Sequence, residues 1–184
     1  MAIENHAGDL HSRELVELIE RSGSDYVGAT LDSGNATWTL ENPIDTLRNL
    51  APYAVSSGIR DSMVWKSKKG VKVQWTAMGE GCTDLKTFIR EWKNLCPSLP
   101  MQLEIISGFA KEFPYLEQNF WHPYSNFLAS DFTRFLSLTE KGKPIKSFIV
   151  PNGKEKKVAQ QKYQLDQLDK SISYCKRELL LGRQ

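Results

Sequence analysis

The stretch Y-V-G-A-T-L-D-S-G-N, residues 26–35, decides how this chain is read. It begins as a short apolar run of strand type and ends in a carboxylate, Asp32, followed by a Gly-marked turn. Such a run buries its middle and presents Asp32 at the strand's C-terminal tip. In α/β folds that tip is where ligands and metals are bound. Three other stretches also close on polar residues: A-I-E-N-H at 2–6, Y-A-V-S-S-G-I-R-D at 53–61 and M-Q-L-E-I-I-S-G at 101–108.

The segments between these runs are mostly helical. Ser12 caps a helix with Leu15, Val16, Leu18 and Ile19 on its apolar side and Gly23 as its stop. Asn42-Pro43 is a helix start, with Asn as the cap and Pro in the first helical position. Residues 62–65 and 71–75 are short β-type runs around K-S-K-K-G, the pattern of a hairpin. After the turn G-E-G at 79–81, Thr83 or Asp84 caps a helix that points Leu85, Phe88, Ile89 and Trp92 inward. Residues 109–124 read as an aromatic, Pro-containing loop, and Ser130 caps a helix stopped by Gly142.

Residues 141–157 are basic and marked by Gly and Pro. The last helix is expected over residues 157–181, with a seam of Val158, Leu165, Leu168, Ile172, Cys175 and Leu179 interrupted by Gln161. Such a helix either lies along the outside of the domain or binds a partner. Strands alternating with helices imply parallel strands in right-handed βαβ units. The sequence has no G-x-G-x-x-G and no P-loop, which disfavours a dinucleotide or nucleoside triphosphate. A flavodoxin-like open sheet and part of a (β/α)8 barrel remain.

The 184 residues suffice for one domain with a real core, and 40% hydrophobic with 25% charged residues is ordinary globular composition. A formal charge of +2 gives no argument for nucleic acid or an anionic membrane as partner. No apolar run approaches the ~20 residues of a membrane span. Cys82, Cys96 and Cys175 are scattered and odd in number, so they read as free thiols of a reducing, cytoplasmic compartment.

Glu4, Asp32 and Glu104 each fall at or near the end of an expected strand. In a parallel sheet such ends lie side by side, and three carboxylates brought together repel unless a cation sits among them. Oxygen ligands favour Mg2+ or Mn2+, and an added His also suits Zn2+ or Co2+.

With these residues in view, the chain resembles the sugar phosphate isomerase/epimerase family of the xylose isomerase-like TIM barrels. E-N-H, L-D-S-G-N, I-R-D-S-M-V-W, G-E-G and Q-L-E-I carry the resemblance, in the family's order. It implies an α/β fold: a partial (β/α)8 TIM barrel, strands five to eight, with a β-hairpin insertion and extra C-terminal helices. Residues 1–142 form the half-barrel, and 143–184 a basic linker and C-terminal amphipathic helix. The family holds one divalent metal on Glu, Asp, His and Glu. Glu4, Asp32 and Glu104 match; at the His position stands Gly58, which has no side chain to bind with.

By the same resemblance Glu4 and Glu104 are the catalytic acid–base pair for proton transfer alpha to a carbonyl. Arg60 would hold a substrate oxygen or phosphate, with Asp61 orienting it. His6, Asn35 and Glu80 are weaker candidates for hydroxyl contacts. Trp65, Trp75, Phe109, Phe113, Tyr115 and Trp121 either wall a sugar site or form core under long loops. The expected partners are a sugar or sugar phosphate and, to close the open sheet edges, the first half of the barrel or a second copy. A truncated sequence is the most economical account of the missing half. A barrel half that has lost its metal site and serves as a scaffold is the alternative.

Overall fold

The computed structural model describes residues 1–182. Three parallel strands form the first sheet, in the order β1 (Ala2–Glu4), β2 (Gly28–Leu31), β3 (Ala54–Ser57). Helix α1 (Ser12–Ser22) joins the first two. A short turn of helix, α2 (Ser33–Ala36), and α3 (Pro43–Leu50) join the second and third. Each strand therefore lies beside its predecessor, not in the 2-1-3-4 order of an open flavodoxin-like sheet. This sequential order is compatible with a piece of a barrel.

The run at 101–106 is expected as a fourth strand. It lies alongside the extension of β3, but only one parallel bridge forms, Ile59 with Leu103. Two backbone hydrogen bonds hold it: the Ile59 amide donates to Gln102 O at 2.7 Å, and the Glu104 amide donates to Ile59 O at 3.0 Å. This pairing carries Glu104 to the side of Gly58 and Arg60.

A second, antiparallel sheet leaves the first at Arg60. It has the order β4 (Asp61–Lys66), β5 (Val71–Thr76), β6 (Ala110–Phe113). The hairpin of β4 and β5 is the one expected from the sequence, with Asp61 opposite Thr76 and Lys66 opposite Val71. Strand β6 lies inside the expected loop. Its four residues, A-K-E-F, lack β-branched side chains and give no local strand signal; pairing to β5 makes it a strand.

Two cores support the sheets. Leu15, Ile19, Leu31, Leu47, Leu50, Phe88 and Trp92 pack the first, under β2 and between α1, α3 and α4 (Leu85–Leu95). Trp38, Met63, Val64, Val73, Phe113, Phe135 and Leu138 pack the second, under the antiparallel sheet and α5 (Ala129–Ser137). Trp65 and Phe113 are core, while Phe109 is exposed. Tyr115 and Trp121 pack edge-to-face on Phe132.

The last helix, α6 (Lys156–Glu178), docks on the first core, and its buried stripe differs from the expected seam. Of the seam, Cys175 and Leu179 are buried as expected, but Val158 and Leu165 are exposed, and Gln167 and Ser171 are buried in their place. Polar contacts select that face. Gln164 takes both backbone groups of Ser107, at 3.1 Å each. The Ser171 hydroxyl accepts from the buried Met78 amide at 3.0 Å and donates to Gln167 O at 2.7 Å. A hydrophobic pattern does not reveal a helix that is seated by hydrogen bonds. Ser171→Ala leaves the Met78 amide buried without an acceptor, a loss of about 1–3 kcal/mol, whereas the exposed Lys162→Ala stays within about 0.5 kcal/mol. Urea unfolding of the two variants checks this, and equal midpoints would contradict the docking.

Candidate functional site

The ends of the parallel strands are tied together before any ligand is considered. Asn5, just past β1, donates from Nδ2 to Asp32 O and accepts at Oδ1 from the Asp32 amide, both at 2.8 Å. This clamp aligns the tips of β1 and β2. Asp32 is also the cap of α2: its Oδ1 accepts from the amides of Gly34 at 2.7 Å and Asn35 at 3.0 Å. Glu4 Oε1 accepts from Asn35 Nδ2 at 2.9 Å. As a result, one oxygen each of Glu4, Asp32 and Glu104 lies within 4.8 Å of the others, a spacing that could hold a metal ion.

The cation among them is Arg60. Its Nε donates to Asp32 Oδ2 at 2.7 Å, and its Nη2 donates to the same oxygen. Nη2 is also 3.0 Å from Glu104 Oε1 and 3.8 Å from Glu4 Oε1. Arg60 is buried, 3% exposed, as is Asp32 at 0%, while the side chains of Glu4 and Glu104 are 31% and 41% exposed. The guanidinium carbon lies 4.7 Å from the centre of the Trp75 ring, in cation–π range. Burial pushes the Asp32 carboxyl up to about 7, against the opposing pull of the guanidinium and the α2 amides. Removing one partner of such a buried pair costs about 3–5 kcal/mol.

A divalent ion does not fit this arrangement of side chains. Oxygen ligands stand about 2.0–2.6 Å from Mg2+, Mn2+ or Ca2+, and the position that the three carboxylates share is filled by a guanidinium. Nor does a fourth ligand come from Gly58. A Cβ at that position would stand 2.6 Å from Glu104 Oε2, so any side chain there displaces Glu104.

The other expected contacts separate from the cluster. Asp61 does not orient Arg60. It is fully buried, with Oδ1 accepting from the Ser62 amide and Oδ2 from the amides of Gly79 and Gly81. It thereby anchors the G-E-G turn, and burial raises it to about 6 despite these bonds. Glu80, in that turn, faces away and pairs with Lys170 at 3.0 Å. His6 is 59% exposed and sits 3.6 Å from Asp9. Asn35 does join the site, and its Oδ1 is buried without a partner among the described residues.

Sequence reasoning passed over Ser33 and Gly34, which hold Arg60, and offered Trp75 as sugar-site wall or core without its place over the guanidinium. It also passed over Glu41. This buried carboxylate accepts from the Ser12 amide at 2.9 Å, the Ser12 hydroxyl and the Thr39 hydroxyl at 2.9 Å, with His11 Nδ1 at 3.3 Å. It locks the start of α1 to the segment after α2. The only local signal was an acid two residues before Pro43, which reads equally well as part of a helix start.

No family model matches the chain. One relative, "Uncharacterized protein YihM" of Escherichia coli strain K12, is 28% identical over 129 residues, 66% of this chain and 39% of that protein. Among solved structures, a xylose isomerase domain protein from Planctomyces limnophilus matches with 22% identity and a TM-score of 0.44, covering 55% of this chain and 37% of that one. The chain thus spans about two-fifths of the length of each. No helix among the described residues is long and apolar enough to cross a membrane.

Glu41 gives the region a pH dependence. Burial raises its carboxyl from the ordinary 4.5 to about 7, so folding takes up a proton there. The linked stability is full below about pH 4.5 and is lost as the pH rises through about 7, on the order of 3 kcal/mol in all. Glu41→Gln should therefore gain stability relative to wild type as the pH rises from 4.5 to 8. Chemical denaturation across that range checks this, and parallel profiles would contradict it.

Proposed function

We propose that this chain is part of an isomerase/epimerase-like barrel whose site binds a small polyhydroxylated molecule and moves a proton alpha to its carbonyl. One observation carries this reading: two partly exposed carboxylates, Glu4 at the end of β1 and Glu104 just past the Leu103 bridge, flank a fixed buried cation. Partial exposure lets each carboxylate reach a ligand, and two carboxylates on different segments of the chain suit acid and base roles. Developing negative charge on a substrate oxygen would be stabilised by the preorganised guanidinium. Asn35 Oδ1 and Trp75 Nε1 are a buried acceptor and a buried donor without partners among the described residues, which hydroxyl groups would satisfy if a ligand reached them.

Trp75 also lines a cavity of about 610 Å³ edged by Lys141, Lys143 and Lys146, and by Lys170 in its pair with Glu80. Ammonium groups at that edge suit a phosphate, which ranks a sugar phosphate above a neutral sugar. The first half of the barrel, or a second copy, would complete the sheet beyond β1 and the Leu103 edge. A metal-dependent form of the chemistry, with Mn2+ or Mg2+ on Glu4, Asp32 and Glu104, requires Arg60 to leave. A non-catalytic barrel half that retains only ligand or partner binding is the second reading, favoured by Gly58 at the position of a fourth ligand.

Fructose 6-phosphate in D2O separates these readings. The first predicts deuterium at carbon 1, slowed at least ~100-fold in Glu4→Gln and Glu104→Gln, and a shifted Trp75 indole resonance. A shift without exchange supports the non-catalytic reading. Neither exchange nor a shift, with fructose 6-phosphate or fructose, would contradict a sugar site.

A further inference from the structure

We propose that the Arg60 guanidinium is the built-in cation of the Glu4–Asp32–Glu104 cluster, occupying the place a divalent ion would take, so that the site works without metal. This inference concerns the cation alone and stands whether or not the ligand is a sugar. It rests on the seating of Arg60 and not on the acidic cluster by itself.

Three features show that the chain is arranged around this side chain. First, the Arg60 backbone is clamped by one hydroxyl: the Arg60 amide donates to Ser33 Oγ at 3.2 Å, and Ser33 Oγ donates to Arg60 O. Second, Gly34 leaves room for the arginine's stem. A Cβ at Gly34 would stand 2.2 Å from Arg60 Cγ and 2.9 Å from Cδ, so even Ala would force the stem aside. Third, Trp75 covers the guanidinium, and Trp38 stacks on Trp75 with ring centres 4.3 Å apart. The cation–π contact is thus backed by the second core.

Gly58 completes the exchange. It offers no ligand atom, and the space a side chain would need there is used by the Glu104 carboxylate, which reaches Arg60 Nη2. The residue that would add a fourth ligand and the residue that fills the cation's place are two positions apart, on the same link between the sheets. An ion at bonding distance from Asp32 Oδ2 and the Arg60 guanidinium cannot share that oxygen's inner face, since both are positive and both need the same lone pairs. A guanidinium remains protonated at all ordinary pH values. The cluster therefore carries a permanent charge that a chelator cannot remove. A ligand oxygen here would meet hydrogen-bond donors in place of a Lewis acid.

Titration of the full chain with Mn2+, followed by the electron paramagnetic resonance of free Mn2+, tests the proposal. Wild type should show no saturable site tighter than about 1 mM, and EDTA should leave its thermal midpoint unchanged. Arg60→Ala should gain one Mn2+ site at least ten-fold tighter than any in wild type, lost again in the Arg60→Ala/Glu104→Gln double variant. Its thermal midpoint should rise with added Mn2+. A single wild-type Mn2+ site abolished by Glu104→Gln would overturn the proposal, and this measurement does not depend on the folding of any Arg60 variant. A folded Arg60→Ala that gains no Mn2+ site would overturn it too.

Discussion

Three carboxylates meeting within 4.8 Å of one another need positive charge between them, and in this chain the charge is supplied covalently by Arg60. Much of the local architecture follows from that requirement. Asn5 aligns β1 with β2 so that Glu4 and Asp32 are side by side. The cap of α2 fixes one Asp32 oxygen on backbone amides and leaves the other for the guanidinium. The short pairing of Ile59 with Leu103 brings Glu104 in from the third side. The arginine sits at the link between the parallel and antiparallel sheets, so its seating also fixes how one sheet leaves the other.

A guanidinium and a metal ion solve the same electrostatic problem with different consequences. The ion binds several oxygens closely and withdraws electron density from a bound carbonyl. The guanidinium gives directional hydrogen bonds, tolerates longer distances and brings its own hydrophobic stem. Gly34 and Trp75 accommodate that stem, and both would be unnecessary around a bare ion. Burial of Asp32 beside the guanidinium makes the pair costly to separate. Glu4 and Glu104 remain partly exposed, so they are the groups that a ligand can reach.

The strand ends and their carboxylates were legible in the sequence because a short apolar run followed by an acid and a Gly turn is a local signal. The helix starts at Asn42-Pro43 and Asp84 were legible for the same reason, and in both the side chain accepts a helix amide. The partner of each charge was not. Arg60-Asp61 reads as a neighbouring pair, yet along an extended backbone successive side chains point to opposite faces, and the two bind different partners. Arg60 turns to Asp32, and Asp61 turns to the amides of Gly79 and Gly81. His6 and Glu80 adjoin motif residues in sequence, but each faces a surface partner. Strand β6 and the buried stripe of α6 were hidden because long-range hydrogen bonds, not hydrophobic periodicity, define them.

The most direct measurement is anomalous X-ray scattering at the Mn edge from crystals of this chain grown with Mn2+. The account predicts no anomalous peak among Glu4, Asp32 and Glu104, and guanidinium density lying on Asp32 under Trp75. A strong peak bridging the three carboxylates, with Arg60 swung out of its place, would contradict it.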